Sequence, residues 1–267
     1  LSGMDLRGIN FQGATFSEAN LTDADLRYAD LTEAYLNNAD LTNAYLQYAD
    51  LTNAYLYEAN LTDAIVTYAD LKYSTFYRAN LANAYLYDSD LKGANLFSAD
   101  LTNANLFGAD LTNANFERAD LTDAILNYAD LTDANLYYAN LTDANLYYAV
   151  LTDADLYGAV LTDANLYYAD LQNAVLRYAD LTDAYLYNAD LTDADLYGAD
   201  LNGANLNYAD LTNADFQDAD LEDATLVEAD LKFAKFSGAT VTNTNFDDTY
   251  WHETMWTDGV RYDTNQS

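Results

Sequence analysis

A large apolar residue recurs at every fifth position from Leu1 to Trp256 without one insertion, and almost everywhere Ala-Asp or Ala-Asn precedes it. Ala24-Asp25-Leu26, Ala104-Asn105-Leu106 and Ala194-Asp195-Leu196 are examples. A fixed short period of this kind means units that stack on their neighbours instead of closing around one globular core. The alanine lies two positions before the leucine, a spacing that puts both side chains on one face of an extended strand, here the inner face. The Asp or Asn between them points outward. The two residues after the leucine must turn the chain, because a straight strand cannot keep an odd period and still bury every leucine. Small alanine beside large leucine lets the interior fill without voids. Ser74 and Ser89 are the only polar residues at the alanine position between Ala14 and Ala239.

A second rhythm sets the number of sides. Units alternate between Leu-Thr-Asp/Asn and Leu-Tyr-Tyr/Gly, as in LTDANLYYAD over 161–170. Like stacks on like only with an even number of units per coil, which excludes three sides. A lag of twenty selects four. It gathers Tyr28, Tyr48, Tyr68, Tyr128, Tyr148, Tyr168 and Tyr208 on one side, while the side ten residues away has only Tyr138 and Tyr178. The same lag places Asn20, Asn60, Asn80 and Asn140 on a third side and Lys72, Lys92 and Lys232 on a fourth.

The motif of a small residue, Asp/Asn, Leu/Phe and two variable residues resembles the pentapeptide-repeat family and covers nearly all of the chain. The resemblance implies an all-β fold, a right-handed quadrilateral β-helix. Twenty residues per coil then give about thirteen coils and a length of about 60 Å at ~4.8 Å per strand. Trp256-Thr257-Asp258-Gly259 is similar to the short terminal tail of cyanobacterial members.

The register decays at the carboxyl end, where Thr244, Thr249 and Thr254 replace alanine and Trp251 and Trp256 replace leucine. The expected organisation is a solenoid over 1–245 and a capping segment over 246–267. In that cap Phe246, Tyr250, Trp251, Met255 and Trp256 form an aromatic plug over the last coil, since open solenoid ends need a cover. No amino-terminal cap is visible before Leu1, which reads as a trimmed start, so Met4, Ile9 and Phe11 are expected to leave an apolar edge able to associate end to end.

The net charge of −34 and pI near 4.1 repel nucleic acid and anionic membranes and favour partners with basic surfaces. Cysteine is absent, which excludes disulfides and thiol chemistry. Proline is absent too, as expected where every backbone N–H joins a ladder. No apolar run reaches the length of a membrane span and no signal peptide opens the chain, so a soluble protein is expected.

Function must come from the outward residues. Asp30, Asp50, Asp70, Asp90, Asp110, Asp130, Asp170, Asp190, Asp210 and Asp230 lie on one side, broken by Val150. Like charges one strand apart repel, so this ladder is a candidate surface for a basic protein. Tyr128, Tyr147, Tyr148, Tyr167, Tyr168 and Tyr187 form a candidate aromatic platform, with Tyr137, Tyr138 and Tyr157 opposite.

The family resemblance adds an alternative, because gyrase-protecting members resemble B-form DNA in shape and charge. About 60 Å of duplex carries roughly 35 negative charges, against −34 here. Threonine rows at Thr102, Thr122, Thr142 and Thr162 and at Thr112, Thr132 and Thr152 invite an ice-binding or carbohydrate-binding reading, but each row lacks a second threonine rank. Catalysis finds no support. His252 is the single histidine, carboxylate pairs such as Asp153 and Asp155 recur by repetition alone, and no calcium-binding motif occurs. No cofactor or metal is expected, and the leading reading is a structural or protein-interaction solenoid without enzymatic activity.

Overall fold

The computed structural model describes residues 1–262. The chain divides into two compact units, Leu1–Asn135 and Leu136–Ser267. In the first, the Asp/Asn position of each five-residue block pairs in parallel with the position twenty residues on: Asp5 with Asp25, Asn10 with Asp30, Thr15 with Tyr35, Asn20 with Asp40. The second unit is built the same way, with Asn140 on Val160, Asn145 on Asn165, Val150 on Asp170 and Asp155 on Val175. Four blocks fit in twenty residues, so each coil has four sides, as the tyrosine and lysine lags predict.

One block shows how the backbone is satisfied. The Leu161 and Asp163 N–H groups donate to the Asp180 and Thr182 carbonyls of the following coil at 2.6 and 3.0 Å. Ala164 N–H closes a turn on the Leu161 carbonyl at 3.0 Å, and Asn165 N–H donates back to the Ala144 carbonyl at 2.9 Å. In the following block the second-position amide, that of Tyr167, donates to Asn165 Oδ1 at 3.1 Å; its counterpart Thr162 follows Val160, which has no side-chain acceptor. The outward Asp/Asn is therefore a structural acceptor for the amide two residues on. The same bond recurs throughout, as from Thr32 N–H to Asp30 and from Thr132 N–H to Asp130.

The third residue of every block sits in the left-handed region, for example Asp23 at φ 56°, Asn43 at 56° and Tyr28 at 62°. With the one-to-four bond this is the geometry of a type II turn. Asn and Asp tolerate it best, whereas a tyrosine or arginine there carries a strain of about 1–2 kcal/mol.

Inward, leucine and alanine are sealed from solvent in both units, as at Leu46, Ala49, Leu166 and Ala169. Phe76 and Phe116 share one side of the coil in the first unit, and Phe216 and Phe236 share one side in the second. Ser74 and Ser89 are buried, and each hydroxyl donates to the carbonyl three residues back, Leu71 and Leu86, at 2.5 and 2.6 Å. Leu1, Met4 and Ile9 of the first coil are exposed, and Phe11 packs edge to face on Phe16 at 5.0 Å.

At the carboxyl end Phe236, Phe246, Trp251 and Trp256 cluster, with Trp251–Trp256 at 4.8 Å and Phe246–Trp256 at 5.2 Å. The Thr244 and Thr254 hydroxyls donate to the Leu221 and Leu231 carbonyls of the preceding coil, which is how threonine replaces alanine there. Tyr250 departs from the expected plug. It occupies the outward bridging position opposite Asp230 and is 63% exposed. Met255 likewise stands at the outward position, opposite Lys235. The segment then folds into a hairpin of β1 (Thr254–Met255) and antiparallel β2 (Arg261–Tyr262), turned by Gly259 at φ 79°.

Candidate functional site

The acidic column stands as the spacing predicts within each unit. Asp30, Asp50, Asp70, Asp90, Asp110 and Asp130 are bridged in succession in the first unit, and Val150, Asp170, Asp190, Asp210 and Asp230 in the second. A second acidic column lies on the opposite side of the coil. It comprises Asp40, Asp100 and Asp120 in the first unit and Asp180, Asp200 and Asp220 in the second. Sequence reasoning saw that side as an asparagine side through Asn20, Asn60, Asn80 and Asn140. Applying the lag of twenty to aspartate would have found it.

These carboxylates are not idle. Oδ1 of Asp100, Asp120 and Asp130 accepts both the N–H and the hydroxyl of the threonine two residues on, the hydroxyl at 2.6 Å in each case. Asn140 plays the same part for Thr142. The hydroxyls of Thr102, Thr112, Thr122, Thr132 and Thr142 are thus tied to their turns. The hydroxyl of Thr42 holds the Asp40 carboxyl below its ordinary pKa, against the opposing effect of burial.

Two lysines of the fourth side, Lys72 and Lys232, fold onto the ladder. Lys72 Nζ lies 2.8 Å from both Asp70 and Asp90, joining two coils, and Lys232 Nζ lies 2.6 Å from Asp230. Burial pushes the Asp70 carboxyl up, but the Lys72 contact outweighs it and leaves a net depression. Outside the ladder, the Arg7 guanidinium bonded to Asp5 lowers that carboxyl to about 2.

Five of the six platform tyrosines are brought together in the second unit. Tyr148 stacks on Tyr168 at 4.8 Å, Tyr147 meets Tyr148 edge to face at 4.6 Å, and Tyr187 lies 5.6 Å from Tyr167. Tyr128 belongs to the first unit and packs on Phe107 at 5.3 Å. That unit has its own stacks, Tyr28–Tyr48–Tyr68 at 5.1 and 5.2 Å and Tyr57–Tyr77–Phe97 at 5.3 and 5.1 Å. The Tyr28–Tyr48–Tyr68 and Tyr148–Tyr168 stacks offset the left-handed strain of their tyrosines.

Elsewhere a tyrosine leans over a glycine one coil on. A Cβ added at Gly93, Gly158 or Gly198 would collide with the ring of Tyr73, Tyr138 or Tyr178. Gly158→Ala is therefore expected to destabilise the second unit by about 1–3 kcal/mol. Most of that loss should disappear in the Gly158→Ala, Tyr138→Ala double variant, measured by thermal melting. Additive losses would show that the ring is not the obstacle.

Among the described residues no group of three or more His, Cys, Asp or Glu is placed to hold a metal ion, and no helix is long and apolar enough to cross a membrane. His252 packs edge to face on Phe233 at 5.2 Å.

The family model for pentapeptide repeats matches overlapping segments from 1–32 to 214–249, nearly the whole chain. The chain belongs to the pentapeptide-repeat family. The all-β coil described above is accordingly the right-handed β-helix of that family. Among solved structures it is similar to HetL, a pentapeptide repeat protein involved in heterocyst differentiation regulation from the cyanobacterium Nostoc sp. strain PCC 7120. The two share 32% identity over 96% of this chain and 92% of HetL, with a TM-score of 0.36. Rfr23, a pentapeptide repeat protein from the cyanobacterium Cyanothece 51142, shows 22% identity over 59% of this chain and 90% of its own, with a TM-score of 0.24. QnrB1, a plasmid-mediated fluoroquinolone resistance protein, shows 16% identity over 92% of both chains, with a TM-score of 0.33. No curated protein matches the chain.

Proposed function

We propose that this pentapeptide-repeat chain acts without catalysis or cofactor, as a structural or protein-binding solenoid of about thirteen coils, with Phe246, Trp251 and Trp256 covering its last coil. The observation that carries the reading is the bond from each ladder carboxylate to the amide two residues on. It gives the Asp/Asn position a role in folding and leaves the charge free to serve solubility or to meet a basic partner.

A second reading, an acidic mimic of DNA acting on a DNA-binding protein such as gyrase, is favoured by one feature. Two acidic columns on opposite sides of each coil present charge as two strands of phosphate do.

Asp50, Asp110, Asp130 and Asp210 changed together to asparagine separate the two. Asparagine keeps the turn bond, since Asn60 Oδ1 takes the Thr62 N–H at 3.2 Å and its hydroxyl at 2.6 Å. Only charge is lost, and with it a repulsion of roughly 0.9 kcal/mol per neighbouring pair in bulk water, less with salt. The expected result is a higher melting temperature with no change in gyrase supercoiling. Inhibition of supercoiling by the parent chain that disappears in the variant would establish the mimic instead.

A further inference from the structure

The second unit carries an aromatic arrangement that the acidic ladder does not explain. Tyr138 and Tyr178 stand two coils apart on one corner, with Gly158 between them and Gly198 beyond. The glycines make room for the rings, each of which lies against the glycine one coil on, as the collisions of an added Cβ show. Each ring is braced edge to face, Tyr138 by Tyr137 and Tyr157 at 4.5 and 5.8 Å, and Tyr178 by Tyr157 and Tyr197 at 5.5 and 5.6 Å. Both remain about half exposed, at 48% and 51%. Fixed, exposed rings lose little entropy when a ligand lands on them.

The spacing selects the ligand. Two strand spacings are roughly 9.6 Å, and one turn of a polyproline II helix, three residues at 3.1 Å, is about 9.3 Å. We propose that Tyr138 and Tyr178 dock a proline-rich segment of another protein in the polyproline II conformation, successive prolines three residues apart resting on the two rings. Residues 1–267 contain no proline, so the segment is not drawn from them. The surroundings call for a basic one. Val160 leaves the adjoining column neutral between the rings, while Asp180 and Asp200 continue it as acid; on the other flank Val175 separates Asp155 from Asp195, which already has Arg177 beside it. Arg177, over the Tyr197 ring at 4.8 Å with Nε 3.7 Å from Asp195, already shows how this corner receives a guanidinium.

This inference rests on the protein-binding reading and names the partner's chemistry. The test is calorimetric titration of the full chain with a short arginine-bearing peptide whose prolines are three apart, against one of equal composition with prolines two apart. Saturable binding of the first alone is expected. Tyr138→Ala and Tyr178→Ala should each weaken it roughly fivefold or more, and Tyr73→Ala in the first unit should not. Tyr138→Leu and Tyr178→Leu serve if an alanine variant loses its β spectrum. Equal binding of the two peptides, affinity indifferent to both tyrosines, displacement by a soluble neutral polysaccharide, or no binding at all overturns the proposal. The last result leaves the broader protein-binding reading standing, because that reading is tested on the ladder.

Discussion

Leu166→Ala is expected to destabilise the second unit by about 2–5 kcal/mol, the range for emptying a fully buried leucine site. Leu166 has no exposed surface, and its N–H donates to the Tyr185 carbonyl of the following coil at 2.7 Å. The interior is a narrow column in which each leucine meets only its own coil and the two beside it, so the surroundings have little freedom to collapse into the gap. Leu6, in the first coil, is 7% exposed against none for Leu166, and should lose less on the same change. Denaturant unfolding of both variants checks this. Equal losses at the two positions would mean that burial does not set the stability of a coil.

Proline supplies the second large effect. Asn165→Pro removes the donor to the Ala144 carbonyl at 2.9 Å in the middle of a parallel ladder, and a cost of about 3 kcal/mol or more is expected. Thr162→Pro, three residues earlier, should be nearly neutral. Its position is the second of a turn in which proline's φ is preferred, and the residue two before it is Val160, which offers no side-chain acceptor for the lost amide. Melting curves of the two variants, side by side, decide the matter. If Thr162→Pro is as damaging as Asn165→Pro, the turn assignment fails.

The fold was legible because one physical constraint repeats: leucine must face inward every five residues, and residues twenty apart must match. Tyr28, Tyr48 and Tyr68 announced their stack through that lag. Two features were hidden. The bond from Asp30 to the amide of Thr32 lies within one turn and leaves no mark on periodicity, since an outward aspartate reads the same whether it is idle or bonded. The left-handed third residue was masked by its occupants, because tyrosine, arginine and glutamate hold a place where glycine would have signalled the geometry. Tyr250 was misplaced for a related reason, an aromatic residue near a chain end suggesting burial although its register pointed outward. The corner of Tyr138 and Tyr178 required coordinates, for only they show the rings lying over Gly158 and Gly198.

Every parallel bridge within a unit spans the same twenty residues, and this has a consequence for how such a chain changes over generations. A globular domain that gains a segment must close a longer loop or repack its centre. Here a duplication or deletion of one whole coil returns the flanking residues to equivalent neighbours, with the same partners at the same separation. Insertions of five, ten or fifteen residues keep leucine inside but bring unlike sides together, and any that is not a multiple of five moves leucine out of the interior. Length is therefore adjustable in steps of one coil by unequal recombination, at no cost to the remainder of the molecule.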